Sequence, residues 1–313
     1  MNPLQKISAF GAALTVSFGA AYGVGAVVGP FDSGTDSESS AHQSDSHQSD
    51  SHQSDSHESG SHEGGGSAES GGRSTPLVPA GLQVSEGGYT LDLESGALAA
   101  DRAGVIRFAV RGTDGRPVTS YQVEHEKELH LIVASRDLTE YRHLHPTRAA
   151  DGTWSTPVRL TEPGSYRVFA DFTPGGGKEN LTLGSDLTVA GAYAAERVPA
   201  QVNRVTVDGY TVALDGELAA GKGSELRFTV SKEGKPVRLE PYLGANGHLV
   251  ALRAGDLAYL HVHPHDDEDG AAQVRFTADV PSTGTYRLFL DFKADGKVRT
   301  AAFTAGTDQH SHG

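Results

Sequence analysis

One histidine pattern occurs twice in this chain, and it limits the fold more than any other feature. His143-Leu144-His145-Pro146 returns as His261-Val262-His263-Pro264, and a further histidine, His130 or His248, stands thirteen residues before each pair. The flanks return as well. His130-Leu131-Ile132-Val133 matches His248-Leu249-Val250-Ala251, and Gly164-Ser165-Tyr166-Arg167-Val168-Phe169-Ala170-Asp171-Phe172 matches Gly284-Thr285-Tyr286-Arg287-Leu288-Phe289-Leu290-Asp291-Phe292. A chain of 313 residues has room for about two ordinary domains, as this duplication requires.

Within each copy the texture is that of strands. Tyr89-Thr90-Leu91-Asp92-Leu93 and Leu226-Arg227-Phe228-Thr229-Val230 alternate with period two, and turn signals such as Asp114-Gly115 and Glu233-Gly234 separate the runs. About seven short strands per hundred residues predicts an all-β chain of two tandem immunoglobulin- or cupredoxin-like antiparallel β-sandwich domains. The expected bounds are 77–191 and 202–305, with a connector near Ala192 to Ala200 and a loose tail over 306–313. The Gly-x-Tyr of Gly164/Tyr166 and Gly284/Tyr286 predicts a tyrosine corner in each copy.

The segments before the repeats differ in kind. Residues 1–31 read as a membrane anchor or signal: Lys6 precedes 23 uncharged positions, Ile7 to Gly29, enough helix to cross a bilayer core of roughly 30 Å. Two outcomes are open. An uncleaved single-pass anchor places the domains outside the cytoplasm, whereas cleavage near Gly19-Ala20-Ala21 releases a secreted protein. Residues 32–76 form a linker of Ser, Gly, Asp and Gln with His42, His47, His52, His57 and His62 at five-residue intervals. It has too little apolar surface to offset chain entropy and is expected to lack fixed structure. It reads either as a loose metal-collecting tract or as a hydrophilic stalk.

Composition removes several functions. There is no cysteine and the single methionine is Met1, which excludes disulfides, thiolate zinc clusters, blue copper and thioether Cu(I) sites. A net charge of −14 argues against nucleic acid as a partner. What remains is imidazole chemistry. Alternate strand residues share a face, so Tyr141, His143 and His145 project together, as do Tyr259, His261 and His263. A hairpin turn at Asp137-Leu138-Thr139 lays His130 opposite or diagonal to His145. The predicted metal ligands are therefore His130, His143 and His145, and His248, His261 and His263, one set per copy, with a water or a nearby carboxylate as fourth ligand and Cu(II) or Zn(II) as the ion.

Glu124, His125, His265, Asp266 and Asp267 are possible auxiliaries. Asp171 and Asp291 read either as acceptors for a ligating imidazole or as strand-face residues near Arg167 and Arg287. Against metal stands a bland reading, in which His-x-His-Pro is a polar strand edge stopped by proline. On that reading the chain is a non-catalytic adhesion or scaffold module. A metal-dependent hydrolase is the third option, although no catalytic motif accompanies the histidines.

Gly247-His248-Leu249-Val250-Ala251-Leu252-Arg253 and Tyr259-Leu260-His261-Val262-His263-Pro264 resemble stretches in secreted or membrane-anchored proteins of high-GC Gram-positive bacteria described as heavy-metal-binding. The resemblance spans both repeats but not the linker. It implies metal handling at the duplicated histidines and brings no mechanism with it.

Overall fold

A computed structural model of the chain describes residues 78–307, apart from 178, 261 and 266–270. The expected anchor and linker, the end of the tail, His261, Asp266 and Asp267 lie outside the described residues. Among the described residues every regular element is a strand, and no helix is long and apolar enough to cross a membrane.

The first repeat contains β1 (Ser85–Glu86), β2 (Tyr89–Leu93), β3 (Ala97–Ala99), β4 (Arg102–Arg111), β5 (His130–Ser135), β6 (Tyr141–Leu144), β7 (Thr147–Arg148), β8 (Thr153–Leu160), β9 (Gly164–Phe172) and β10 (Leu181–Ala190). The second contains β11 (Arg204–Val207), β12 (Tyr210–Asp215), β13 (Gly223–Lys232), β14 (Lys235–Pro236), β15 (His248–Arg253), β16 (Tyr259–Leu260), β17 (Val262–Pro264), β18 (Gln273–Asp279), β19 (Thr285–Ala294) and β20 (Lys297–Gly306). Each repeat is a β-sandwich of two sheets. In the first, β1-β2-β4-β8-β7 faces β3-β10-β9-β5-β6; in the second, β11-β12-β13-β18-β17 faces β16-β15-β19-β20. The pairing is antiparallel except where β3 runs parallel to β10.

Alternation builds the two sandwich cores. Ile106, Phe108 and Val110 of β4 meet Leu131 and Val133 of β5 and Val168 and Ala170 of β9. In the second repeat Leu226, Phe228 and Val230 meet Leu249, Ala251, Leu288 and Leu290 in the same way. Both tyrosine corners form, with the hydroxyls of Tyr166 and Tyr286 donating to the carbonyls of Glu162 and Ser282, each at 2.7 Å.

A third core joins the repeats. Every residue of β5 is buried, because Leu131 and Val133 face inward while His130, Ile132 and Ala134 face the other repeat. Val250 and Leu252 of β15 return the contact. Tyr141 stacks on Phe289 across the junction with ring centres 4.0 Å apart, and Tyr259 reciprocally meets Phe169 at 5.7 Å. The same surface of each repeat thus packs against its duplicate. Arg287 is buried there as well: it donates to the Leu138 carbonyl of the first repeat and to the Thr304 hydroxyl.

Candidate metal centre at the repeat junction

The hairpin β5–β6 fixes the geometry of the site. Its turn is closed by short side chains: the Ser135 hydroxyl donates to Asp137, the Thr139 and Glu140 amides donate to the Ser135 oxygen, and Leu138 takes a left-handed conformation, φ 59°. The buried Glu140 carboxylate then pins the end of the turn. It accepts from the Tyr166 hydroxyl, from the amides of Thr161 and Glu162 and from Arg142. Burial alone would raise this carboxyl, but those donors outweigh it and hold it below the usual range. Leu131 pairs with Leu144 and Ile132 with His143. His143 therefore lies on the junction face beside His130, and His145 follows two residues on, where Pro146 favours extended backbone.

His130, His143 and His145 come together as the sequence predicts, each offering a ligating nitrogen within 4.8 Å of the others. The hydrogen bonds specify which nitrogens these are. His130 Nε2 lies 3.2 Å from the Glu124 carbonyl, which can only accept, so that nitrogen carries the proton and Nδ1 keeps its lone pair. His143 Nδ1 faces Asp291 Oδ2 at 2.8 Å, and in the tautomer that donates to this carboxylate Nε2 keeps its lone pair. The two remaining atoms, His130 Nδ1 and His143 Nε2, face each other at 3.1 Å.

Two lone pairs at that distance repel unless a proton or a cation lies between them. Two imidazole nitrogens on one ion, with bonds of about 2.0–2.1 Å, stand about 3–3.4 Å apart for square to tetrahedral angles. The third member, His145, has a buried Nε2 with no hydrogen-bond partner among the described residues. An acceptor holding the far nitrogen of a ligating imidazole is the usual support of a histidine metal site.

Burial sets the charge state. The His130 ring is pushed down to about 3, first by desolvation and then by the neighbouring His143. His145 is pushed down to about 4 for the same two reasons. Both are neutral at ordinary pH, the form that ligates metal.

The second repeat contributes differently. His248 lies at the same junction, its ring parallel to that of His130 at 5.3 Å and 4.7 Å from that of His143. Burial also lowers its pKa well below the ordinary value. His263 instead sits on β17, opposite Thr277 in the other sheet, with Nε2 3.8 Å from Asp279. The expected auxiliaries divide. Glu124 supports His130 through its carbonyl, and His125 lies 5.7 Å from the His248 ring, whereas His265 bonds Thr277 within the second repeat.

Of the two readings of Asp291, acceptor for an imidazole or strand-face residue near Arg287, its hydrogen bond to His143 supports the first. Arg167 pairs with Asp186, and Asp291 binds His143 of the other repeat together with the Thr300 hydroxyl. Strand periodicity carries no signal for a partner in the other repeat. The uninterrupted apolar runs after His130 and His248 do carry one, since they mark strands covered on both faces. A cavity of about 280 Å³ opens beside the cluster, with His125, His130, His248, His263 and Asp171 in its wall.

A family model described as a domain of unknown function (DUF8832) matches residues 83–189 and again 205–309. No curated protein matches the chain in sequence. Among solved structures, the adhesin FdeC of Escherichia coli is 14% identical with a TM-score of 0.24, over 71% of this chain and 65% of that one. Domains 4 and 5 of the S-layer protein SbsC are 12% identical with a TM-score of 0.22, over 72% and 98%. The bacterial integrin-binding protein invasin is 14% identical with a TM-score of 0.22, over 70% and 39%. The chain thus spans less than two thirds of the adhesin and of invasin. Likenesses at these scores do not bear on function.

Proposed function

This chain belongs to the DUF8832 family, of which it carries two copies, and from that premise we propose that it binds a transition metal, Cu(II) or Zn(II), at the junction between the copies. The supporting observation is the 3.1 Å approach of His130 Nδ1 and His143 Nε2, each on a ring whose other nitrogen is held by an acceptor. All three donors are imidazoles, which suit these two ions and give no preference for soft Cu(I). His261 and His263 are proposed as a second, looser set that includes His248 or adjoins it. With the N-terminal segment as anchor or signal, the domains work outside the cytoplasm and hold the metal without catalysis. Carboxylates around the triad fit that reading, because they are already engaged: Glu124 by Thr173 and Asn180, Glu128 by Arg148, Asp291 by His143 and Thr300, and Asp171, opposite His130, by the Tyr259 hydroxyl.

The test is metal analysis and calorimetric titration of the full chain, purified without a histidine tag, against H143A/H145A. The tightest equivalent should weaken at least about 100-fold, since even outer partners of metal ligands are worth 10–100-fold. Unchanged affinity and stoichiometry would remove the site.

A non-catalytic surface module is the second reading. It is favoured by the reciprocal aromatic packing and the buried His143–Asp291 pair, which close the junction without an ion. A chain that takes up no metal and gains no stability from it supports this alternative.

A further inference from the structure

The triad offers three imidazoles, and a four-coordinate ion requires one more donor. The side chains that surround it narrow the choice. Both oxygens of Asp291 are occupied, Oδ2 by His143 and Oδ1 by the Thr300 hydroxyl. Both Glu124 oxygens accept hydrogen bonds, from Thr173 and Asn180, and the Glu128 carboxylate is held by the two-pronged Arg148 guanidinium. Recruiting any of these carboxylates breaks an existing bond, and Asp171, opposite His130 on β9, accepts from the Tyr259 hydroxyl at 3.4 Å. Among the imidazoles, His125 lies 6.2 Å from the His130 ring, on a turn with φ 47°. His248 is nearer, its ring 4.7 Å from His143 and 5.3 Å from His130. Its backbone is also secured, because β15 pairs with β19 in a register that sets His248 opposite Asp291.

We propose that His248 is the fourth ligand of the ion held by His130, His143 and His145, so that a single metal clasps the two repeats. The proposal rests on the metal reading above. It reassigns a histidine from the second copy's own set to a shared centre. Stacked on His130 as it stands, His248 reaches the ion by a turn of its side chain toward His143, within a wall that borders the cavity. Two residues of the second repeat then serve the centre, His248 as donor and Asp291 as the acceptor that orients His143. Metal occupancy and docking of the repeats become linked equilibria, since a ligand that binds only the docked form stabilises that form.

The experiment uses the full chain loaded with less than one equivalent of Cu(II), so that the tightest site fills first. Pulsed electron paramagnetic resonance counts the imidazoles coupled to the copper in the unsubstituted chain, in H248Q and in H143A/H145A. Four imidazoles in the unsubstituted chain, three in H248Q, and a loss of affinity of about 10–100-fold or more in H248Q support the clasp. Three imidazoles in the unsubstituted chain with H248Q unchanged overturn it and leave the triad standing. An unaltered signal in H143A/H145A removes the triad itself, a separate failure. Should H248Q not fold, the count in the unsubstituted chain decides alone.

Discussion

The two repeats share a sequence pattern and a sandwich, yet they use their histidines differently. In the first, β6 runs beside β5 for four residues, Tyr141 to Leu144, before the chain leaves for the opposite sheet. In the second, β16 covers only Tyr259 and Leu260, and β17 is already paired with β18 by Val262. That earlier departure pairs His263 with Thr277 of the opposite sheet and leaves it in the wall of the cavity beside the cluster, whereas its counterpart His145 lies within the triad itself. The turns differ as well, the second being held by Arg253 on Asp256 and Ser282. Glu140 ties the first hairpin to Tyr166, Thr161 and Glu162, and Ala258 at the matching position has no side chain that could do so. Duplicated histidines are therefore not placed alike: His145 and His263 differ in the strand each one follows or joins.

The largest expected effect probes what the repeats share. Phe289→Ala empties a buried position stacked on Tyr141 and should cost about 3–5 kcal/mol in denaturant unfolding. A cost below about 1 kcal/mol would mean the junction is not a core. Phe169→Ala, the reciprocal change, should fall in the same range, and a large gap between the two would show the halves to be unequal here too.

The next effect is one of pH. His130 and His145 are held at about 3 and about 4, while an unfolded histidine titrates near 6.5. Below 6.5 the unfolded chain binds protons that the folded chain refuses, so stability of the metal-free protein falls as pH drops. Between pH 6 and pH 5 the two rings together should cost about 2 kcal/mol, less for the more open His145. Chemical denaturation with a chelator present measures the slope. A slope unchanged in His130→Asn would show that this ring is not the source.

The smallest effect sharpens the contrast at the turns. Tyr166→Phe leaves the buried Glu140 without one of its donors and should cost about 1–3 kcal/mol. Tyr286→Phe loses the bond to the Ser282 carbonyl with no buried carboxylate behind it, and should cost about 0.5–1.5 kcal/mol. Equal costs would deny Glu140 its role in fixing the first hairpin.

Much of this arrangement was legible before any coordinates. Period-two alternation marked the strands, Gly-x-Tyr marked both corners, and Asp137-Leu138-Thr139 placed the turn that sets His130 across from His145. Each of those features depends on neighbours along the chain or across one hairpin. Asp291 as acceptor for a ligating imidazole is one of two sequence readings, but that the imidazole is His143 of the other repeat was not legible, nor was the bond of Arg287 to the Leu138 carbonyl; these pairs lie 148 and 149 positions apart. They depend on how one sandwich docks on the other. Strand pattern does not encode that, beyond the hint that His130 to Ser135 is buried on both faces.

The reciprocal stacking of Tyr141 on Phe289 and of Tyr259 on Phe169 has the form of an isologous contact, in which one patch meets its own duplicate. Two separate chains would form such a contact only above their dissociation constant. Here residues 191–203 run from the end of β10 to the start of β11, and a short tether of this kind holds its ends at effective concentrations on the order of millimolar. Docking of the fused pair does not depend on protein concentration, so neither half has to remain identical to the other. An exchangeable dimer must carry every substitution twice; this chain can keep a histidine in one half and let its twin drift.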